Sequence, residues 1–297
     1  MKLLQTDISE NEILEQSPEL LSMDRTLSTG NSQVNIFWAT NNYANLGAGY
    51  QYEDPITIDA ITGKNGDVIK PRAVKSREMQ QRRSREMAEV FTPSWICNKQ
   101  NNLIDDAWFG RENVFNTEVD NPDGTHSWIP SEGKIVFPED KTWHDYINEN
   151  RLEITCGEAP YLVSRYDSVT GEPIPIERRI GLLDRKLRVV GENTQTSSEW
   201  LRAAQSAYMS VYGYEWQGDN LVLARESLLY TFIDYYKAKF GQTPQLKSLQ
   251  YIASIISWNI WQMDGLKGVI PGSCRSVRQT VQDLFDSSET VQECEGC

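Results

Sequence analysis

Apolar and polar residues alternate over three short runs of the chain and recur at helical spacing between them. RLEITC (151–156), VYGYEW (211–216) and NIWQMD (259–264) predict strands. SSEWLRAAQSAYMSV (197–211), with Ser197 or Ser198 as cap, predicts a helix, and LQYIASIIS predicts another. The clearest helix is 219–240: Asp219 can cap it, Leu221, Ala224, Leu228, Phe232 and Tyr235 or Tyr236 recur on one side, and Gly241 ends it. Strand, helix, strand, helix, strand is the order of an α/β fold, a parallel sheet covered by helices.

The flanks are less regular. Residues 1 to about 30, polar and acidic with short helical patterns such as NEILEQSPELL, predict a mobile or peripheral arm. VNIFWATNNY (34–43) has the β-branched and aromatic content of a strand, and Gly47, Gly49, Pro55, Gly63 and Gly66 after it read as loop and hairpin. Residues 110–150 read as an irregular excursion closing in a short helix around TWHDYINENR. The division expected is an arm and irregular region at 1–87, a ligand-binding domain at 88–270 and a tail at 271–297.

Charge and cysteine content narrow the classes. Nothing approaches the roughly 18 uninterrupted apolar residues of a membrane span, and the N-terminus lacks a secretory pattern, so a cytoplasmic location is expected. Five irregularly spaced cysteines argue against a disulfide framework; Cys97 and Cys274 read as buried thiols. A net charge of −13 is unfavourable for free-standing binding to nucleic acid, so any DNA contact must be local or supplied by another chain. The one positive stretch, Lys70, Arg72, Lys75, Arg77, Arg82, Arg83 and Arg85, either faces phosphates or is an ordinary solvated helix face, the commoner case.

In open parallel sheets, ligands bind beyond the carboxyl ends of the strands. The first strand-to-helix loop lets backbone approach the ligand, and an acid ending the second strand holds a ribose. Both features are present in order, in Glu153 to Leu162 (EITCGEAPYL) and in Tyr212 to Trp216 (YGYEW). The first stretch resembles the first motif of S-adenosylmethionine-dependent methyltransferases, with Gly157 at the first glycine and Ala159 replacing the second, which narrows the permitted backbone conformations. Ala88-Glu89-Val90-Phe91-Thr92-Pro93 resembles the signature that opens many adenine methyltransferases of restriction-modification systems, and Asn259 to Leu266 (NIWQMDGL) resembles the third motif.

The resemblance to adenine-specific DNA methyltransferases spans residues 88–266 and implies a Rossmann-like sheet, S-adenosylmethionine as cofactor and DNA as partner. It implies that Glu89, Phe91, Thr92 and Pro93 shape the methionine pocket. Glu153, Cys156, Gly157, Ala159 and Tyr161 belong to the close-approach loop. Glu215 holds the ribose, Trp216 contacts adenine, and Asp264 accepts from the adenine amino group.

The family's catalytic Asn/Asp-Pro-Pro-aromatic sequence is absent; Asn121-Pro122 reads as a turn. Roughly thirty residues follow the third strand, too few for the remaining strands, so the sheet is expected to be incomplete and one edge of its first strand unpaired. A longer protein, a protein partner or the N-terminal segments would complete it. Cys294-Glu-Gly-Cys297 is either half of a zinc site or a pair of free thiols. Without the catalytic motif, the alternative to part of an enzyme is an inactive methyltransferase-fold protein that binds the cofactor or a protein partner.

Overall fold

A computed structural model describes residues 10–23, 35–86, 89–270, 277–283 and 286–292. Cys274, Cys294 and Cys297 lie outside them, as does Ala88. The chain runs through α1 (Glu10–Gln16), α2 (Ile58–Ile61), α3 (Arg77–Glu86) and α4 (Ser94–Phe109), an antiparallel hairpin of β1 (Asn116–Asp120) and β2 (His126–Pro130), and α5 (Trp143–Asn148). There follow β3 (Arg151–Ile154), α6 (Leu182–Asn193), α7 (Ser197–Met209), β4 (Val211–Glu215), α8 (Gly218–Phe240), α9 (Leu246–Asn259) and β5 (Ile260–Gln262). A second hairpin joins β6 (Val277–Asp283) to β7 (Asp286–Gln292). No described helix is long and apolar enough to cross a membrane.

The fold is α/β. β3, β4 and β5 form a parallel sheet with β4 in the middle, Arg151 opposite Val211 and Glu215 opposite Gln262. Side chains alternate across it as the two-residue period of a strand requires: Val211, Gly213 and Glu215 of β4 are buried, and α8 and α9 pack on β4 and β5. On the opposite face Leu152 and Ile154 are 47% and 44% exposed. Among the described residues β3 pairs with β4 alone.

The N-terminal segment is no peripheral arm where it is described. Ile13, Leu14, Leu20 and Leu21 are buried in the same hydrophobic cluster as β4, α8 and α9, because NEILEQSPELL presents its apolar side chains on one side. The buried Arg225 of α8 donates to the carbonyls of Leu20 and Ser22, 2.7 Å each. Buried residues from both sides of position 88 belong to one hydrophobic cluster.

Residues 35–43 form no strand; their bridges are isolated, Asn35 with Ser22 and Phe37 with Pro55. The backbone bonds of this segment are shared out among separate segments, Ile36 N to Leu21 O, Trp38 N to Asp54 O and Ala39 N to Tyr52 O, and a side chain adds to them. The Gln262 amide of β5 accepts from Phe37 N at 2.8 Å and donates to Phe37 O at 2.7 Å, so this segment is tied to β5 and not to β3.

The stretch 110–150 is more ordered than its composition implies, since β1 and β2 pair around the turn at Asn121 to Gly124. Thr196, rather than Ser197 or Ser198, caps α7: its side chain accepts from Glu199 N, and Glu199 returns the bond in a capping box. α8 begins one residue earlier than expected, with Gln217 at its cap position, and Asp219 turns inward to a buried ion pair. Gly241 ends α8 in the left-handed conformation, φ 67°.

Candidate functional site

A cavity of about 640 Å³ opens at the carboxyl ends of β3, β4 and β5. Strand polarity explains its contents, because each strand delivers the residues that follow it to the same end of a parallel sheet. After β3 the backbone turns sharply: Thr155, Gly157 and Ala159 all take left-handed conformations, φ 54°, 56° and 60°. Cys156 and Gly157 thereby reach the cavity wall together with Tyr161. Ala159 adopts the conformation a glycine would take, at the cost of about 1–2 kcal/mol that an L-residue meets there. It is fully buried beneath the wall and does not line the cavity.

Glu215, at the end of β4, joins two of these segments. Its Oε2 accepts from Gly157 N at 2.8 Å and its Oε1 from Gln217 N at 2.9 Å. Burial pushes its carboxyl up to about 7 even though both amide bonds favour the charged form. Each oxygen retains a further acceptor site. Trp216 lines the cavity beside it, its indole donating to the Tyr52 hydroxyl at 2.9 Å. After β5, Asp264 lines the cavity and stabilises its own turn, Oδ1 accepting from Leu266 N and Lys267 N at 3.0 Å each.

The segment before α4 supplies another wall through Glu89, Phe91 and Thr92. A Cβ placed on Gly157 would lie 3.8 Å from the Phe91 ring, so the loop and the ring are neighbours. Pro93 faces away, lining a second cavity with Trp95 and His126. Glu153 also lines the cavity; burial raises its carboxyl well above the usual range, against the amides of Tyr161 and Leu162, which lower it. The Cys156 thiol is likewise raised by burial, which keeps it protonated.

Among the described residues two carboxyl oxygens of this wall lack a hydrogen bond, Glu89 Oε1 and Glu153 Oε2, both buried. Among the described residues no lysine or arginine lines the cavity. The arrangement is suited to a ligand that brings hydrogen-bond donors and positive charge, and unsuited to phosphates.

Beneath the cavity lies a cluster that the sequence did not single out. Arg83 of α3, fully buried, donates to Glu89, Gln217 and Asn220, three cavity residues, and pairs with Asp219 at 2.8 Å. Lys75 and the Tyr43 hydroxyl also contact Asp219. Burial alone would raise the Asp219 carboxyl; Arg83 and Lys75 outweigh it and hold the group well below the usual carboxylate range. The signal was present only as spacing, since Arg83 lies six residues before Glu89 in a run that reads as solvated charge.

Among the described residues no cluster of His, Cys, Asp and Glu could hold a metal, and Cys97 and Cys156 are free and buried. No family model, curated protein or solved structure matches the chain.

Proposed function

We propose that this cavity binds S-adenosylmethionine and that the chain is the cofactor-binding part of an adenine-N6 DNA methyltransferase of a restriction-modification system. The observation that carries the reading is the meeting of four separate stretches, at Glu89 to Thr92, Glu153 to Tyr161, Glu215 to Trp216 and Asp264, around one cavity. The acceptor set fits: Glu215 would receive the ribose hydroxyls on its remaining acceptor sites, and the orphaned oxygen of Glu89 suits a ligand carrying an ammonium group. Bound there, the cofactor would supply an activated methyl group. Trp216 would flank the adenine, Asp264 Oδ2 would accept from its amino group, and Phe91 with Thr92 would shield the methionine end from water.

DNA and a polypeptide completing the sheet at β3 are the partners this reading requires. A second reading, a methyltransferase-fold protein that binds without methylating, is favoured by the absence of an Asn/Asp-Pro-Pro-aromatic sequence from the chain. The chain alone is accordingly expected to bind the cofactor and to leave adenine in duplex DNA unmethylated.

Calorimetric titration with S-adenosylmethionine tests the site. Glu215→Ala removes hydrogen bonds to a charged acceptor, worth about 1.5–3 kcal/mol, so affinity should fall roughly 10- to 100-fold. Unchanged affinity in the variant would remove the ribose assignment, and no binding by the wild-type chain would remove the proposal.

A further inference from the structure

The basic stretch from Lys70 to Arg85 divides into two populations. Lys75 and Arg83 are buried in the cluster beneath the cavity. Arg77, Arg82 and Arg85 are exposed, while Lys70 and Arg72 are half-buried. At 3.6 residues per turn, Arg77, Gln81 and Arg85 follow one another up α3, with Glu78 and Arg82 alongside and Arg83 on the opposite side. Among the side chains described, the outer face thus carries Arg77, Arg82 and Arg85 beside Glu78. Arg77 and Arg85 form no ion pair among the described residues, and Arg82 donates to Asn42 Oδ1 at 3.1 Å.

Two observations give this face a direction. The whole chain carries a net charge of −13, so a compact array of cations is where a polyanion can approach it. The array also borders the cavity: the Arg72 guanidinium lies 4.9 Å over the ring of Phe91, a cavity residue, and Arg83 of the same α3 holds Glu89.

We infer that the outer face of α3 docks the phosphate backbone of duplex DNA beside the ligand cavity, an inference that rests on reading the cavity as part of a DNA methyltransferase. Each guanidinium that replaces a phosphate counterion steepens the fall of affinity with salt, by about 0.9 in the slope of log affinity against log salt. The contact is to backbone, so it is indifferent to base sequence.

The test is anisotropy titration of a mixed-sequence duplex over a series of salt concentrations, with the wild-type chain, the triple variant Arg77→Gln/Arg82→Gln/Arg85→Gln, and the same positions changed to Lys. The glutamine variant should flatten the slope by about 2–3, and the lysine variant should keep it. Thermal unfolding should match between variants because the side chains are exposed. Failure of the wild-type chain to bind duplex, a slope unchanged by the glutamine substitutions, or tighter binding of single-stranded or RNA competitors would overturn the inference. S-adenosylmethionine titration in parallel separates the two readings: a flattened slope without cofactor binding leaves the docking face standing and removes the cofactor proposal, while cofactor binding with an unchanged slope does the reverse.

Discussion

At the scale of single residues, Glu215 governs the pH behaviour of the site. Its folded-state carboxyl titrates near 7 against an ordinary 4.5 because it is buried. Between these values the folded chain holds a proton that the unfolded chain has released. Its contribution to stability is therefore fully present below about pH 4.5 and lost as pH rises through about 7. Ligand binding carries the opposite sign, since ribose hydroxyls and a cationic ligand both favour the carboxylate. Affinity for S-adenosylmethionine should rise several-fold from pH 6 to pH 8 in calorimetry, and Glu215→Gln should flatten that part of the profile. A wild-type profile flat across this range would contradict the titration. Glu215 was legible in the sequence because a strand end beside a helix start is a local pattern. Arg83 was not: its meaning lies in Asp219, 136 positions away, and local sequence cannot tell a buried guanidinium from a solvated one.

At the scale of elements, the cavity depends on how α3 and the N-terminal segments meet α8. Arg83 bridges α3 to the start of α8, and removing it leaves Asp219 buried with Lys75 as its remaining cation and Glu89 with no ion-pair partner among the described residues. Arg83→Met should cost about 3–5 kcal/mol in urea denaturation, the range for breaking a buried pair. Arg83→Lys, which keeps the charge but cannot span the four acceptors, should fall between. Gly218 is the second joint. A Cβ there would stand 1.9 Å from Phe37 O and 2.8 Å from Ile56 Cδ1, so the first turn of α8 is pressed against the segment at 35–56. Gly218→Ala should lower stability by about 1–3 kcal/mol, more if the segment separates from α8, read from the denaturation midpoint. Neither joint was visible beforehand. VNIFWATNNY has strand composition, but its backbone is met in turn by Leu21, by residues 52–56, by Gly218 N and by the Gln262 side chain, and such scattered pairings leave no periodic trace. The parallel strands were legible because each is short, apolar and followed by turn residues.

At the scale of the whole molecule, two surfaces of opposite character are exposed, and salt would distinguish what binds to each. Parallel sheets ordinarily bury both faces, yet here Leu152 and Ile154 stand exposed on a strand paired on one side among the described residues. The strand's outer peptide groups offer a template for another chain, with Ile154 O met by its neighbour's Thr155 Oγ1 at 2.6 Å. In the absence of a completing polypeptide, the nearest supply of such an edge is a second copy. Two copies, each of net charge −13, repel at low ionic strength, and added salt screens that repulsion while leaving apolar contact intact. Self-association measured by sedimentation equilibrium should therefore strengthen as salt is raised, whereas duplex binding through the α3 face should weaken. Leu152→Lys places a charge on the edge and should shift the association midpoint about tenfold higher in concentration, with folding stability changed by no more than about 0.5 kcal/mol because the side chain is already half in water. An association indifferent to Leu152→Lys would place the contact elsewhere on the surface, and the bare face of β3 would then have no role in it.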